Sequence, residues 1–423
     1  MKSFEKIIGY ESIKNQLYQI IDMFKNKELY EKMGAKLSKG VLIYGNPGLG
    51  KTMLAEALIK ECAVKTFIIK NNKDQRTLIK EINDAFVEAS KLERAIIFLD
   101  DLDKFTESDG ENVDAKLFVN IQTNIDSVKD KEILVVATAN NIKKLPDSLK
   151  RNGRFDNKIS VESPTNDDAA EIIKYYLKSR NVNENLNYED VSKMISYTSC
   201  ADLETILNES AIYAAYSRKN SIDINDIIKA YCHDYYSTPC DNFECSDEEI
   251  YATSLHEAGH AVIAEVLKKG SVGCISIYPT QMGFATGFTK LCEKFIRRPE
   301  NVLIGLGGKV ACELFYQGKC ASNCYSDLDK VIKLIRNGMF ENGTCGIGLI
   351  EVTRNSSESM ITRGEAVIQA EIERYMFRTK DILLKNREFV LKLANEIAEK
   401  KFLLYSDIEK IRESVQIEYV QID

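Results

Sequence analysis

Val41-Leu-Ile-Tyr44, followed by Gly45-Asn46-Pro47-Gly48-Leu49-Gly50-Lys51-Thr52, is the stretch on which the fold turns. Its last eight residues match G-x-x-x-x-G-K-T at every position. A short apolar, β-rich run precedes them, and Met53–Cys62 reads as the helix that follows. The glycines leave backbone N–H groups free to face phosphate oxygens with no Cβ in the way. The start of the helix adds partial positive charge. Lys51 is placed to reach the β- and γ-phosphates, and Thr52 to hold magnesium.

Working outward, Thr66-Phe-Ile-Ile69, Ala95-Ile-Ile-Phe-Leu99 and Ile133-Leu-Val-Val136 are short apolar runs of the same kind. Such runs suit strands buried on both faces of a parallel sheet. With helices between them, for example Thr77–Lys91, they predict an α/β nucleotide-binding domain over residues 1–165. The run from Ala95 ends in Asp100-Asp101. At a strand end about fifty residues beyond a phosphate loop, the first acid would organise magnesium and the second would orient the attacking water.

From residue 166 to 236 the pattern turns helical, in Ala169–Ser179, Tyr188–Tyr197, Ala201–Arg218 and Ile224–Tyr235. This predicts a small helical lid. Residues 237–247 carry turn residues without periodicity and read as a linker. Residues 248–423 read as a second, mainly helical domain, interrupted by Cys274–Tyr278 and by Gly283–Leu291.

That domain holds His256-Glu257-Ala-Gly-His260, an H-E-x-x-H, and so two of the three histidines in the chain. Positions four apart on a helix share a face. Both imidazoles can therefore close on one metal ion, while Glu257 holds a water against it as general base. His233 lies outside every motif and reads as structural or exposed.

The 423 residues carry a net charge of −7, with 44% apolar and 29% charged residues. The length predicts two or three domains. The charge is interspersed, which points away from nucleic acid as a partner. No apolar run approaches the ~20 residues of a membrane span, and the N-terminus lacks a signal-peptide core. A soluble, cytoplasmic protein is expected. Eleven cysteines at irregular spacing argue for free thiols over a disulfide framework; Cys320 and Cys324 are spaced for a redox or second metal site.

Taken together these residues resemble the FtsH family of hexameric AAA+ zinc proteases, from about Phe4 to near the C-terminus. The markers come in the family's order. Phe4-Glu-Lys-Ile-Ile-Gly9 resembles its domain start, and Asn140 stands where its sensor asparagine does. Arg151 and Arg154, in Leu149-Lys-Arg-Asn-Gly-Arg-Phe-Asp156, match its two arginine fingers. Cys200-Ala-Asp-Leu203 resembles the lid's G-A-D-L, and Gly307-Gly-Lys-Val-Ala-Cys-Glu-Leu314 the helix after the metal motif. Tyr325-Ser-Asp-Leu328 matches the segment carrying the third zinc ligand, which makes Asp327 that ligand by resemblance. Asp329 is a local rival, and either aspartate can instead cap a helix. Glu313 is a residue behind the histidines or a plain salt-bridge partner.

The resemblance implies ATP, Mg2+ and Zn2+ as cofactors, a homohexamer, and unfolded or tagged proteins as substrates. Three departures stand against it. The chain begins where the family's ATPase domain begins, so no membrane anchor is expected. Asp101 replaces the family's longer water-orienting glutamate, which predicts slow hydrolysis. Lys70-Asn-Asn-Lys-Asp-Gln-Arg-Thr77, at the place of the family's aromatic pore loop, has no aromatic residue with which to grip substrate; Phe67 reads as a buried strand residue. The leading reading is an ATP-dependent zinc metalloprotease. The alternatives are a zinc peptidase whose ATPase serves mainly assembly, and a non-proteolytic AAA+ remodeller.

Overall fold

In the computed structural model of the chain, residues 2–35, 38–70, 74–106, 111–236, 245–279, 285–316, 324–342 and 358–422 are described. Residues 71–73 of the polar loop, most of the linker, Gly283, and Cys240, Cys320 and Cys345 lie outside them. The chain divides into two compact units: residues 1–181 with 197–212, and residues 182–196 with 213–423.

The first unit opens with helices α1 (Glu11–Lys25) and α2 (Lys27–Lys32). Then follow β1 (Gly40–Tyr44), α3 (Lys51–Cys62), β2 (Lys65–Lys70), α4 (Gln75–Ala89), β3 (Arg94–Asp100), α5 (Glu111–Ser127), β4 (Glu132–Ala139) and β5 (Asn157–Ser160). The strands form one sheet in the order β2-β3-β4-β1-β5, with every pairing parallel. Helices cover both faces, which is why Ile96, Ile97 and Phe98 are all buried although alternate residues point to opposite sides. Val41, Ile43, Ile96 and Phe98 belong to the core that α1 and α3 close. Leu42, Ile97, Leu99 and Val135 belong to the core shared with α4 and α5.

β2 departs from expectation. It is an edge strand in which only Ile69 is buried, while Ile68 is 54% exposed. Phe67 is half-buried against the second of these cores. An edge strand has a neighbour on one side only, so its apolar run does not require burial on both faces. β5, with the sequence Asn-Lys-Ile-Ser, is a strand because it pairs along β1, from Val41↔Asn157 to Tyr44↔Ser160.

The helical segment contains α6 (Asn166–Leu177), α7 (Tyr188–Met194), α8 (Cys200–Tyr216) and α9 (Ile224–Tyr236). By contacts, α6 and most of α8 fall in the first unit, and α7 and α9 in the second.

The second unit is built around α10 (Asp247–Leu267). Ser246 caps it by accepting the N–H of Glu249, and three acids in the first turn complement the helix dipole. From Ala252 to Val266 every residue is buried. A helix apolar all round is a core helix, surrounded on every side. Around it lie β6 (Val272–Pro279), β7 (Ala285–Leu291), α11 (Arg298–Phe315), α12 (Cys324–Asn342), α13 (Glu358–Lys385), α14 (Arg387–Lys400), β8 (Phe402–Leu404) and α15 (Tyr405–Glu413).

The three strands form an antiparallel sheet in the order β7-β6-β8, with β7 at an edge. α10 and α11 approach so closely that a Cβ on Gly259 would stand 2.3 Å from the carbonyl oxygen of Gly307. α7 is bolted to α15 by Asp190, whose carboxylate accepts from Ser406 N and Ser406 Oγ, both at 2.8 Å. The fold class read from the sequence therefore holds: a parallel α/β domain, then a mainly helical region. Among the described residues, no helix is long and apolar enough to cross a membrane.

Candidate functional site

The strand order explains the first site. β3, β4 and β1 are neighbours and run in parallel, so their C-terminal ends form one edge. That edge collects the loop after β1, Asp100 and Asp101 after β3, and Asn140 after β4. Thr52 Oγ1 donates to Asp100 Oδ1 at 3.0 Å, and Thr138 Oγ1 donates to the same oxygen at 2.7 Å. Lys51, buried at the start of α3, donates to the carbonyl of Asn46 at 2.7 Å. Burial draws its ammonium below the usual lysine range.

Asp101 has a left-handed backbone, with φ at 54°. Its carboxylate pairs with Lys104 at 2.9 Å, and Asn140 Nδ2 stands 3.5 Å from it. Asp103 holds the turn after β4 by accepting the N–H groups of Asn140 and Asn141, at 2.8 and 3.0 Å. Beside the loop opens a cleft of about 330 Å3, walled by Ile8, Tyr10, Leu49, Met53, Tyr175 and Cys200 among others. The two arginines are placed differently. Arg151 is exposed, while Arg154 is engaged with Asp126 and the carbonyl of Ser148.

The second site is a cluster of three side chains. His256 and His260 lie one turn apart on α10, and Asp327 comes from the first turn of α12. His256 Nε2 and His260 Nε2 are 3.0 Å apart, and Asp327 Oδ2 is 3.1 Å from the first and 3.3 Å from the second. Donors arranged tetrahedrally at about 2.0–2.1 Å from an ion stand about 3.3 Å from one another, so this set has the size of a zinc-ligand set. Two imidazoles and a carboxylate are also the donor types that zinc takes. Among the described residues, no other group of three His, Cys, Asp or Glu side chains clusters in this way.

The field at the cluster favours a cation. Burial alone would push the Asp327 carboxyl up, but the hydrogen bonds and charge of the two histidines hold it well below the usual carboxylate range. Burial would likewise lower His260, and its hydrogen bond to Asp327 with the nearby charge of Glu257 raises it instead. The other ring nitrogen of each histidine is also occupied. His260 Nδ1 donates to the Ile304 carbonyl at 2.6 Å, leaving Nε2 to the cluster. His256 Nδ1 meets the thiol of the buried Cys324 at 3.7 Å. Glu257 accepts from Thr289 Oγ1 at 2.8 Å. Together these side chains floor a cleft of about 510 Å3, with Ile304, Val331 and Leu334 on its walls.

Asp329, the rival ligand, is half exposed and pairs with Lys333 at 2.6 Å, away from the histidines. Glu313 pairs with Lys309 on the same helix. His233 is exposed, its ring 6.4 Å from that of Tyr213. The eight described cysteines are free thiols. The sequence reading passed over Lys104 and Thr289, and it marked Cys324 for a redox or second metal site with Cys320, not for its place beside His256. Lys104 lay only three residues from Asp101, whereas Thr289 and Cys324 reach the site through tertiary packing and gave no local signal of it.

Comparison with known proteins matches a family to each of the two regions that hold these sites. Residues 41–163 match the model of the ATPase family associated with various cellular activities (AAA), and residues 244–411 match peptidase family M41. The chain is 31% identical over 360 residues to ATP-dependent zinc metalloprotease FtsH 2 of Salinibacter ruber, covering 81% of this chain and 52% of that protein. Against ATP-dependent zinc metalloprotease FtsH of Ureaplasma parvum serovar 3 it is 27% identical, covering 98% of this chain and 61% of the relative. Against FtsH 2 of a Thermoanaerobacter species the identity is 26%, with 97% of this chain and 83% of the relative covered. The chain thus spans between half and two thirds of the first two relatives. Fold and site define an AAA ATPase domain joined to an M41 peptidase domain. The chain belongs to the FtsH family. Those relatives are, by name, ATP-dependent zinc metalloproteases.

Proposed function

We propose that this chain is the working core of an ATP-dependent zinc metalloprotease that cuts unfolded polypeptides. The observation that carries the reading is the cluster of His256, His260 and Asp327, whose donor atoms lie within 4.8 Å of one another beside Glu257 in an open cleft. These three side chains would hold zinc, which when bound would supply Lewis-acid polarisation of the scissile carbonyl and a more acidic water at neutral pH. Glu257 takes the proton of the attacking water and delivers it to the leaving amine nitrogen. The Ile304 carbonyl keeps His260 in the tautomer that binds through Nε2. A cleft of about 510 Å3 has room for a few residues of extended chain, which supports unfolded over folded substrates.

On the ATPase side, Gly45–Thr52 cradles the phosphates, with Lys51 on the β- and γ-phosphates. Thr52 and Asp100 hold magnesium, and Asp101 with Asn140 orients the water. An arginine finger serves the nucleotide of a neighbouring subunit, so Arg151 and Arg154 imply a ring, by kinship a homohexamer. The Asp101–Lys104 pair favours a second reading, in which hydrolysis is weak and nucleotide chiefly assembles the ring.

The test is degradation of an unfolded, fluorescently labelled protein by zinc-loaded enzyme with ATP, with a non-hydrolysable analogue, and without nucleotide. Cleavage with ATP alone supports the coupled protease. Equal cleavage with ATP and the analogue supports the assembly reading. Glu257→Gln should lose about 10²–10⁴-fold in rate while still binding zinc. Unchanged cleavage in that variant would overturn both readings.

A further inference from the structure

β7 lies against the side chain of Glu257 at two points on one face of the strand. Gly287 and Thr289 are two residues apart, and so point the same way. They pair with Ile277 and Ile275 of β6, while the other side of β7 is the sheet's edge. At Gly287 a Cβ would stand 2.7 Å from Glu257 Cγ and 2.9 Å from its Oε1, so the glycine makes the room in which the carboxylate lies. At Thr289 the hydroxyl donates to Glu257 Oε2 at 2.8 Å and lies 3.1 Å from the backbone carbonyl of the same residue. One position admits the carboxylate and the other pins it.

We propose that Thr289 is a positioning residue for the general base: its hydroxyl fixes Oε2 so that Oε1 is presented to the attacking water. The inference rests on the reading of Glu257 as the base. A glutamate has three side-chain torsions, and holding them still costs rotamer freedom. Proton transfer needs the base within about 2.6–3.2 Å of its partner. Without the hydroxyl, Glu257 keeps its place on α10 but loses the contact that selects one carboxylate orientation. The contact involves none of the three metal-binding side chains. The effect therefore falls on turnover.

Thr289→Val removes the donor at nearly constant shape, and Thr289→Ser keeps it. Four measurements on the full chain decide the matter: kcat and KM for an unstructured peptide, zinc affinity by competition with a chromogenic chelator, the urea unfolding midpoint, and the Glu257 conformation in crystals of each variant. Thr289→Val is expected to lower kcat about 10- to 100-fold, with KM, zinc affinity and midpoint unchanged and Glu257 reoriented. Thr289→Ser is expected to return kcat to within about threefold of wild type.

The proposal is overturned by a Thr289→Val enzyme with wild-type kcat. It is also overturned by equal losses in both variants, or by a loss of zinc or stability that accounts for the lost rate. Glu257→Gln runs alongside. If it is inactive while Thr289→Val is unimpaired, this inference alone fails. If it is as active as wild type, the reading of Glu257 fails and takes this inference with it.

Discussion

Arg154 is clasped by Asp126 of its own domain. Nε donates to Oδ1 at 3.2 Å and a terminal nitrogen donates to Oδ2 at 2.7 Å, while the other terminal nitrogen donates to the Ser148 carbonyl at 2.6 Å. Arg151, three residues earlier, is exposed. A finger must reach nucleotide held by another subunit, and Arg154 would have to give up three hydrogen bonds to do so. Arg151→Ala is therefore expected to carry the larger loss of ATPase activity, about 10³-fold or more, with the unfolding midpoint unchanged. Arg154→Ala is expected to destabilise the ATPase domain by about 1–2 kcal/mol. Steady-state ATPase assays beside urea titrations separate the two; a stability loss in Arg151→Ala and none in Arg154→Ala would reverse the assignment.

The same pair predicts a pH signature. Its hydrogen bond to Arg154 is the leading cause that holds the Asp126 carboxyl below the usual carboxylate range. A group with a depressed folded value stabilises the fold fully above its unfolded value, about 3.9 for aspartate. That contribution fades as pH falls through the folded value. The stability gap between wild type and Arg154→Ala should hold steady from pH 7 to about pH 5 and close below about pH 4. Urea midpoints across that range would show it; a gap that widens in acid would mean the pair is not what stabilises the domain.

Asp101 bears on how fast the ATPase runs. Its carboxylate is one methylene shorter than glutamate, and its partner at 2.9 Å is Lys104. An ammonium on a base makes that base less available to water. Asp101→Glu should raise the hydrolysis rate by up to about tenfold, and Lys104→Ala should raise it by a few-fold. Steady-state phosphate release measures both. A fall in rate for Asp101→Glu would mean that the left-handed backbone at φ 54° has been matched to aspartate.

What was legible in the sequence follows from how local its cause is. The phosphate loop and the paired histidines are local, since spacing along one helix or turn sets the geometry. Strands β3 and β4 were legible because burial on both faces leaves an apolar run. β5 and β8 have four and three residues and exist through their pairing with β1 and β6, which a linear reading does not contain. The choice between Asp327 and Asp329 depended on where the start of α12 meets α10. The capture of Arg154 by Asp126 and the contacts of Thr289 and Cys324 join residues at least 28 positions apart. No periodicity marks such pairs.

Cys324 has a testable consequence of that kind. A metal-binding histidine is oriented by whatever its second ring nitrogen donates to, and for His256 Nδ1 the nearby group is the Cys324 thiol at 3.7 Å. Sulfur is a weak acceptor, so Cys324→Ala is expected to cost about tenfold in zinc affinity, at the lower end of such effects. Cys324→Ser should lie between the two. Chelator competition reads the affinities directly. An alanine variant that holds zinc as tightly as wild type would leave the thiol as packing alone.

Gly308 gives the sharpest separation of site from scaffold. It lies within α11, and a Cβ there would stand 2.5 Å from both His256 Cε1 and His260 Nε2. Both neighbours are imidazoles of the metal cluster, and neither can retreat freely, because His260 is tied to Ile304 and His256 abuts Cys324. Gly308→Ala should therefore drive the rings out of their ligand geometry while leaving the helix intact, since alanine is the better helix former. The expected result is a loss of zinc affinity of at least about 100-fold, as for a misplaced ligand, with far-ultraviolet circular dichroism and ATP binding unchanged. Zinc content after dialysis against a weak chelator measures the first, and nucleotide titration the second. A Gly308→Ala protein that keeps full zinc would show that the imidazoles have more room than this packing allows.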